Sequence, residues 1–255
     1  MNTQELENHL KILEEQLKSM EEVKSELKSL KQQLNEKARQ VQRLQDIEDI
    51  KRLQCAYGYY LEHWMGEEII DLFSKKPEVS ATLVEGTYYG PEGIRRYFGK
   101  SRTQPPEFLH QVMQVSPVIT IEPGGERAKG RWYGYGSISV VTSRGVKPVY
   151  MSVTYEMEYI KEDGVWKILT LALQMHYACP AGKSWVKPER LAPEDAPVDN
   201  IKLNPDKWAE YEIGYPSGYI LPMHFKHPVT GKTTSEAERN AVLKLKPNIY
   251  RPVQS

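Results

Sequence analysis

The chain has 255 residues, with 34 basic and 34 acidic side chains and hence no formal net charge. That length suits a core domain with appendages, and the charge balance excludes a basic nucleic-acid surface as the organising principle, since phosphate binding takes an excess of Lys and Arg on one face. The two cysteines, Cys55 and Cys179, lie far apart with no CxxC spacing and no His-rich company. Neither a disulfide framework nor a zinc module is expected, and a reducing compartment is the default. No apolar run reaches the length of a membrane span, and the opening NTQELENHLKILEEQ has no apolar segment of the signal-peptide kind, so the expectation is a cytoplasmic chain with no membrane partner. The aromatic content, 16 Tyr and 5 Trp against 4 Phe, favours a cavity or interface whose apolar wall also offers hydrogen bonds.

Residues 1–48 contain no Gly, Pro, Cys, Phe, Tyr or Trp. Their apolar positions, Leu6, Leu10, Leu13, Leu17, Met20, Val23, Leu27, Leu30, Leu34, Ala38, Val41 and Leu44, step by three and four residues. That is a heptad seam with slips at Met20–Val23 and near Ala38. At helical rise it makes a rod of roughly 70 Å. A rod with a single apolar stripe must bury that stripe against another helix, which predicts a coiled-coil stalk and a homo-oligomer, dimer or trimer. A solvated single helix is the alternative.

Residues 46–180 read as the globular centre. DIEDIKRLQCAYGYYLEHW continues helically, EEIIDLF forms a second short helix after Gly66, and GPEGIRRYF a third with Pro91 at its start. The period then changes. HQVMQVSPVITIEP, ERAKGRWYGYGSISVVTS, VKPVYMSVTYEMEYIKEDG and VWKILTLALQMHY alternate like strands, and PGGE, SRG and EDG between them carry hairpin chemistry. Helices followed by an antiparallel meander describe an α+β domain with a curved sheet around a helix. Residues 181–255 hold about half of the 17 prolines. Anchors such as Trp185, Trp208, Tyr211, Tyr215, Tyr219 and Phe225 make them an extended Pro-rich arm, packed on the core or a neighbouring subunit, with one short helix in EAERNAVLKLK.

Tyr57, Tyr59 and Tyr60 sit on the first core helix, followed by Glu62 and His63. Three phenols this close exceed simple packing, because each needs a partner when buried. A phenol can also polarise a carbonyl or protonate a leaving oxygen; plain core packing is the competing reading. His110 opens the first long strand and has the side chain best suited to move a proton near neutrality. On the second strand, alternation puts Arg131, Tyr133 and Tyr135 on one face and Trp132, Gly134 and Gly136 on the other. Arg131 could bind an anionic or phenolate oxygen or form an ion pair. Tyr155 and Trp166 are expected to point inward, and Gln174 and His176 to share the face of Trp166 and Ile168. His224 and His227, in HFKH, have the spacing of helical metal ligands, but Pro222 and Pro228 flank a non-helical segment, so no metal site is expected. No phosphate loop, dinucleotide fingerprint or nucleophile elbow is present.

The ordered phrases DIEDIKRLQCAYGYYLEHW, EEIIDLF, YYGPEGIRRYF, HQVMQVSPVITI, RAKGRWYG and YEMEYIKEDGVWKI resemble the SnoaL-like branch of the NTF2-like superfamily over residues 46–180. The resemblance implies a cone, in which a bent antiparallel sheet and three helices enclose a pocket, flanked here by the N-terminal coiled-coil helix and the Pro-rich arm. The AYGYY helix, the HQVMQ strand start and PMHFKHPVTGK are similar to a subgroup of lyases that release formaldehyde from lignin-derived aromatic dimers by retro-aldol cleavage. Bile-acid 7α-dehydratase and scytalone dehydratase are more distant. The resemblance implies a cofactor-independent lyase acting on a small hydrophobic aromatic hydroxy compound. Its catalytic residues would be His110, Tyr57 and Glu62, and Tyr59, Tyr60, Arg131, Trp132, Tyr133, Tyr155, Gln174 and His176 would bind substrate. Tyr57 matches the dehydratase's catalytic tyrosine and Glu62 its aspartate on the same helix. The dehydratase's other aspartate falls at Gly136, a departure that suggests room for a bulky ligand. The superfamily also contains plain binding proteins, so a non-catalytic ligand-binding or scaffolding protein is the alternative.

Overall fold

A computed structural model describes residues 2–99, 106–142, 144–186, 204–208 and 218–245. Tyr211 and Tyr215 of the arm lie outside them. Among the described residues, four helices, α1 (Thr3–Glu62), α2 (Gly66–Asp71), α3 (Gly90–Phe98) and α4 (Glu236–Val242), accompany seven strands. These are β1 (Ser80–Thr82), β2 (Gly86–Tyr89), β3 (His110–Ile121), β4 (Arg127–Thr142), β5 (Gly145–Glu162), β6 (Val165–Pro180) and β7 (Lys207–Trp208). The chain divides into two compact units, Met1–Asp46 and Ile47 onward.

In the first unit the heptad seam is open to solvent, from 45% exposure at Leu6 to 68% at Met20 and Leu34. In the second, β3 to β6 form the expected antiparallel meander within a sheet of order β3-β4-β5-β6-β1-β2-β7. The β5–β6 turn is the two-residue Asp163–Gly164 loop, both residues at positive φ (50° and 80°), between the paired Glu162 and Val165. Such a turn matches the twist of the strands it joins. Pro91 occupies the first turn of α3, where its missing N–H costs nothing. Pro117 is tolerated within β3 because that strand is at the sheet edge and its register slips between Val115 and Val118.

The short strands β1, β2 and β7 are additions to the sequence expectation. β1 pairs in parallel with β6, the one departure from antiparallel order among the described strands. β7 is tied down by Asp206, which accepts from the Tyr89 backbone N–H at 2.8 Å and pairs with Arg96 at 2.7 Å. The hydrophobic core lies between one face of the sheet and the helical segments. It gathers Ile50, Tyr57 and Leu61 of α1, Ile94 and Phe98 of α3, and Trp132, Tyr155 and Ile168 of the strands. The result is the curved, open α+β sheet that the sequence predicts, with Ile50, Tyr57 and Leu61 of α1, and with α2 and α3, packed on one face.

Candidate active site

Alternation along the strands gives the sheet two chemically different faces. Val112 on β3, Trp132 on β4, and Tyr155 and Tyr159 on β5 are buried toward the helices. His110 and Gln114, two residues either side of Val112, fall on this inner face. Tyr57, 1% exposed on α1, stands edge-on to Phe98 and to Tyr155, each at 6.2 Å between centroids. Its hydroxyl interacts with that of Tyr155, which Gln114 also engages. The chain of polar groups continues deeper. Gln54 Nε2 donates to Gln114 Oε1 at 2.9 Å, Tyr159 donates to Gln54 Oε1 at 2.7 Å, and Trp132 Nε1 donates to the Tyr159 oxygen at 2.9 Å. Tyr159 thereby finds the partners that burial demands. Burial pushes the Tyr57 and Tyr159 hydroxyls well above the usual tyrosine range. Tyr155 is pushed up to about 12, with the Gln114 and Tyr57 hydrogen bonds pulling the other way. At neutral pH these groups are donors, not bases.

His110 is half-buried at the start of β3. Its ring lies edge-on to Trp64 at 5.8 Å and stacks on Phe108 at 6.3 Å. Trp64, two residues beyond the end of α1, takes a left-handed backbone, φ 55°, a conformation uncommon for a bulky side chain. Its ring meets Phe98 at 6.2 Å, and Phe98 in turn meets Tyr57. His110 and Tyr57 therefore touch opposite ends of one aromatic wall. Glu62 ends α1 half-buried, Tyr60 packs against the core, and Tyr59 is 72% exposed. Tyr59 thus points to solvent and not into a site, because the helical turn that buries Tyr57 and Leu61 carries it to the far side.

The remaining expected binding residues gather on the outer face. Arg131, Tyr133, Thr154, Gln174 and His176 line a cavity of about 230 Å³. Its roof is the extended segment through Tyr219, Ile220, Leu221 and Met223. Four of the residues expected to bind substrate are brought together here, but across the sheet from Tyr57, Trp132 and Tyr155. The expectation that Gln174 and His176 share a face with Trp166 and Ile168 fails for a specific reason. Tyr159 pairs with Ile168 and Glu158 with Thr170, so Leu169 is an extra residue and the parity of β6 reverses beyond it. A second slip, between Ser152 and Val153, leaves His176 as another extra residue. Such bulges re-aim the side chains that follow.

Arg131 organises this outer cavity. Its Nε is paired with Glu156, and one Nη donates at 3.0 Å to the carbonyls of both Leu221 and Pro222. The roof is further clasped by Asn240, which bonds both the N–H and the C=O of Ile220, and by Glu236, which accepts from Met223 N–H at 2.9 Å. His176 Nε2 and Thr154 Oγ1 are 2.7 Å apart. Burial, and then the Arg131 charge, hold the imidazole below its ordinary value of 6.5. His224 lies beside the same Glu156, its Nδ1 3.7 Å from Oε2, while the His227 ring accepts backbone N–H groups of Val229 and Thr230.

Gly136 does not make room for a ligand. A Cβ there would lie 1.8 Å from the Gln111 carbonyl oxygen of the neighbouring strand, so the missing side chain is replaced by backbone. Gln54, Gln114, Tyr159 and Thr154 were not among the expected site residues. Gln114 was findable, since it lies on the face of His110 four residues along; Thr154 and the roof carried no comparable signal.

A family model described as a SnoaL-like domain matches residues 42–172. No curated protein sequence matches the chain significantly. Among solved structures, a hexachlorocyclohexane dehydrochlorinase from Novosphingobium barchaimii is 21% identical, with 58% of this chain and 99% of that one aligned and a TM-score of 0.46. An NTF2-like protein with a cystatin-like fold from Novosphingobium aromaticivorans is 16% identical, covering 58% and 90%, with a TM-score of 0.44. An NTF2-like superfamily protein from Salmonella enterica serovar Typhimurium is 14% identical, covering 60% and 99%, with a TM-score of 0.43.

Proposed function

This chain belongs to the SnoaL-like domain family, and from that premise we propose that it is a cofactor-independent lyase acting on a hydrophobic aromatic hydroxy compound. The observation that carries the reading is the inner face itself. His110 and the hydrogen-bonded Tyr57–Tyr155 pair meet the same Trp64–Phe98 wall, so a base and a neutral donor border one apolar region. In an elimination, His110 takes a C–H proton, the C=C bond forms, and the C–O bond breaks as Tyr57 protonates the departing oxygen, releasing water. In a retro-aldol cleavage, His110 takes the hydroxyl proton, the C=O bond of formaldehyde forms, and the C–C bond breaks as the aromatic fragment accepts the electron pair and then a proton. Both need a dry site and a positioned acid and base. Tyr155 and Trp132, not Tyr133, border that site, and Glu62 stands at its rim.

The same reading makes residues 1–48 the coiled-coil stalk of a cytoplasmic homo-oligomer, residues 46–180 the catalytic domain, and residues 181–255 an arm. The test is turnover of a panel of lignin-type aromatic dimers and hydroxylated polycyclic compounds, with formaldehyde and product mass both followed. Formaldehyde, or a product lighter by one water, supports the lyase. A second reading, a non-catalytic ligand-binding protein, is favoured by one fact: the Tyr57 hydroxyl is already engaged by Tyr155. Binding across the panel without any change of mass would establish it.

A further inference from the structure

The outer face carries chemistry that the lyase reading leaves unused. The cavity under the 218–223 segment has a floor of donors, Arg131, Tyr133, Thr154, Gln174 and His176, and no carboxylate among its lining residues. Arg131 commits Nε to Glu156 and one Nη to two backbone carbonyls, and its other Nη donates no hydrogen bond to a described residue. A half-buried guanidinium with an uncommitted nitrogen, beside an amide and a phenol, is suited to an oxygen-rich acceptor group. The roof is apolar, made by Ile220, Leu221 and Met223. At about 230 Å³ the space exceeds the roughly 150 Å³ of a cavity that holds benzene, but is too small for two linked rings. The intervening sheet, with Trp132 and Tyr155 packed on its inner side, separates this cavity from Tyr57.

We propose that this outer cavity is a second ligand site, selective for a single-ring aromatic acid, with its carboxylate on Arg131 and Gln174 and its ring under Ile220 and Met223. Because the roof is held by Arg131, Asn240 and Glu236, an occupant fills the space between arm and sheet and fastens the two together. This site stands independently of the lyase reading, since it shares no side chain with the inner face.

The test is calorimetric titration of the full chain with 4-hydroxybenzoate, benzyl alcohol and biphenyl-4-carboxylate. One 4-hydroxybenzoate is expected per chain, bound at least tenfold more tightly than either of the others. Ile220→Trp, which fills the cavity, and Gln174→Leu, which removes a donor, should each weaken it at least tenfold, whereas Tyr57→Phe should not change it. In the unaltered protein, nuclear Overhauser contacts from the probe ring to the Ile220 and Leu221 methyls locate the ligand even where a variant fails to fold. Absence of binding at millimolar probe, equal affinity for benzyl alcohol, or probe contacts to Val112 and Ile94 on the inner face would each overturn the proposal.

Discussion

The rings of Tyr57 and Tyr155 meet at 82° with centroids 6.2 Å apart, and their hydroxyls interact. Burial raises both phenols, Tyr155 to about 12. A phenol with a raised folded value keeps its stabilising contribution below the unfolded value of 10.0 and loses it as pH climbs toward the folded one. Tyr57, Tyr155 and Tyr159 should therefore be silent in a spectrophotometric titration until the protein unfolds, and stability should fall with pH only above 10.0. Tyr155→Phe should weaken that alkaline fall. Smooth titration of all tyrosines near the ordinary value in the folded protein would contradict the burial described.

Removing the proton-moving groups separates chemistry from packing. His110→Ala is expected to lower kcat by about a hundredfold or more, the lower range for a positioned acid or base. Tyr57→Phe deletes one oxygen and keeps the edge-on ring contacts, so a comparable loss marks a donor role. The double variant should lose less than the product of the single losses, because groups serving one transition state fail together. Full activity in either single variant, with an unchanged circular dichroism spectrum, would remove that residue from the mechanism.

His176 makes the outer face acid-sensitive. Burial first and Arg131 second depress its folded value below 6.5, so the unfolded chain takes up the proton more readily. The stabilisation is complete above 6.5 and is lost as pH falls through that value toward the folded one. Thermal melts between neutral and mildly acidic pH should show a steeper decline for the parent than for His176→Gln. Parallel curves would place the acid response elsewhere.

Gly136→Ala tests the closeness of β3 and β4. The added Cβ would meet the Gln111 carbonyl at 1.8 Å, and rigid backbone cannot yield as a side chain can. A loss of about 1–3 kcal/mol is expected from such overpacking, read as a lower denaturant midpoint. Gly124→Ala, at a turn where nothing lies within 4 Å of the new carbon, carries only the cost of its positive φ of 104°, which Gly136 does not share.

The stalk should set the size of the assembly. Leu13→Asp together with Leu27→Asp places charge in a seam whose leucines are exposed in the single chain. Light scattering of the full chain is expected to show a dimer or trimer for the parent and a smaller species for the variant. A parent that stays monomeric at micromolar concentration would refute the coiled-coil assignment.

The order of elements was legible because its signals are local. Heptad spacing, Pro91 at a helix start and Asp163–Gly164 at a hairpin each act within a few residues. The inward burial of Tyr155 and Trp166 followed from strand alternation, and that of Tyr57 from the helical face it shares with Ile50 and Leu61. Gln174 and His176 did not follow, because an extra residue at Leu169 changes parity without any Gly, Pro or charge to mark it. Nor could Arg131 be assigned to a partner, since Leu221 and Pro222 lie some ninety residues away in sequence. The short strands β1, β2 and β7 owe their form to neighbours across the sheet and carry no strong pattern of their own.

The two slips in β6 also give that strand a phase. Deleting Leu169 would remove the extra residue and leave Thr170 opposite Glu158, so Leu173 would still face the core and Gln174 the arm. Deleting one residue between Thr170 and Leu173, with the slip at Leu169 retained, would instead turn Gln174 toward the core and Leu173 toward the arm, while composition barely changed. Relatives of this protein whose β6 is one residue shorter beyond that slip are expected to differ in what they hold beneath the arm, even where their residues otherwise agree.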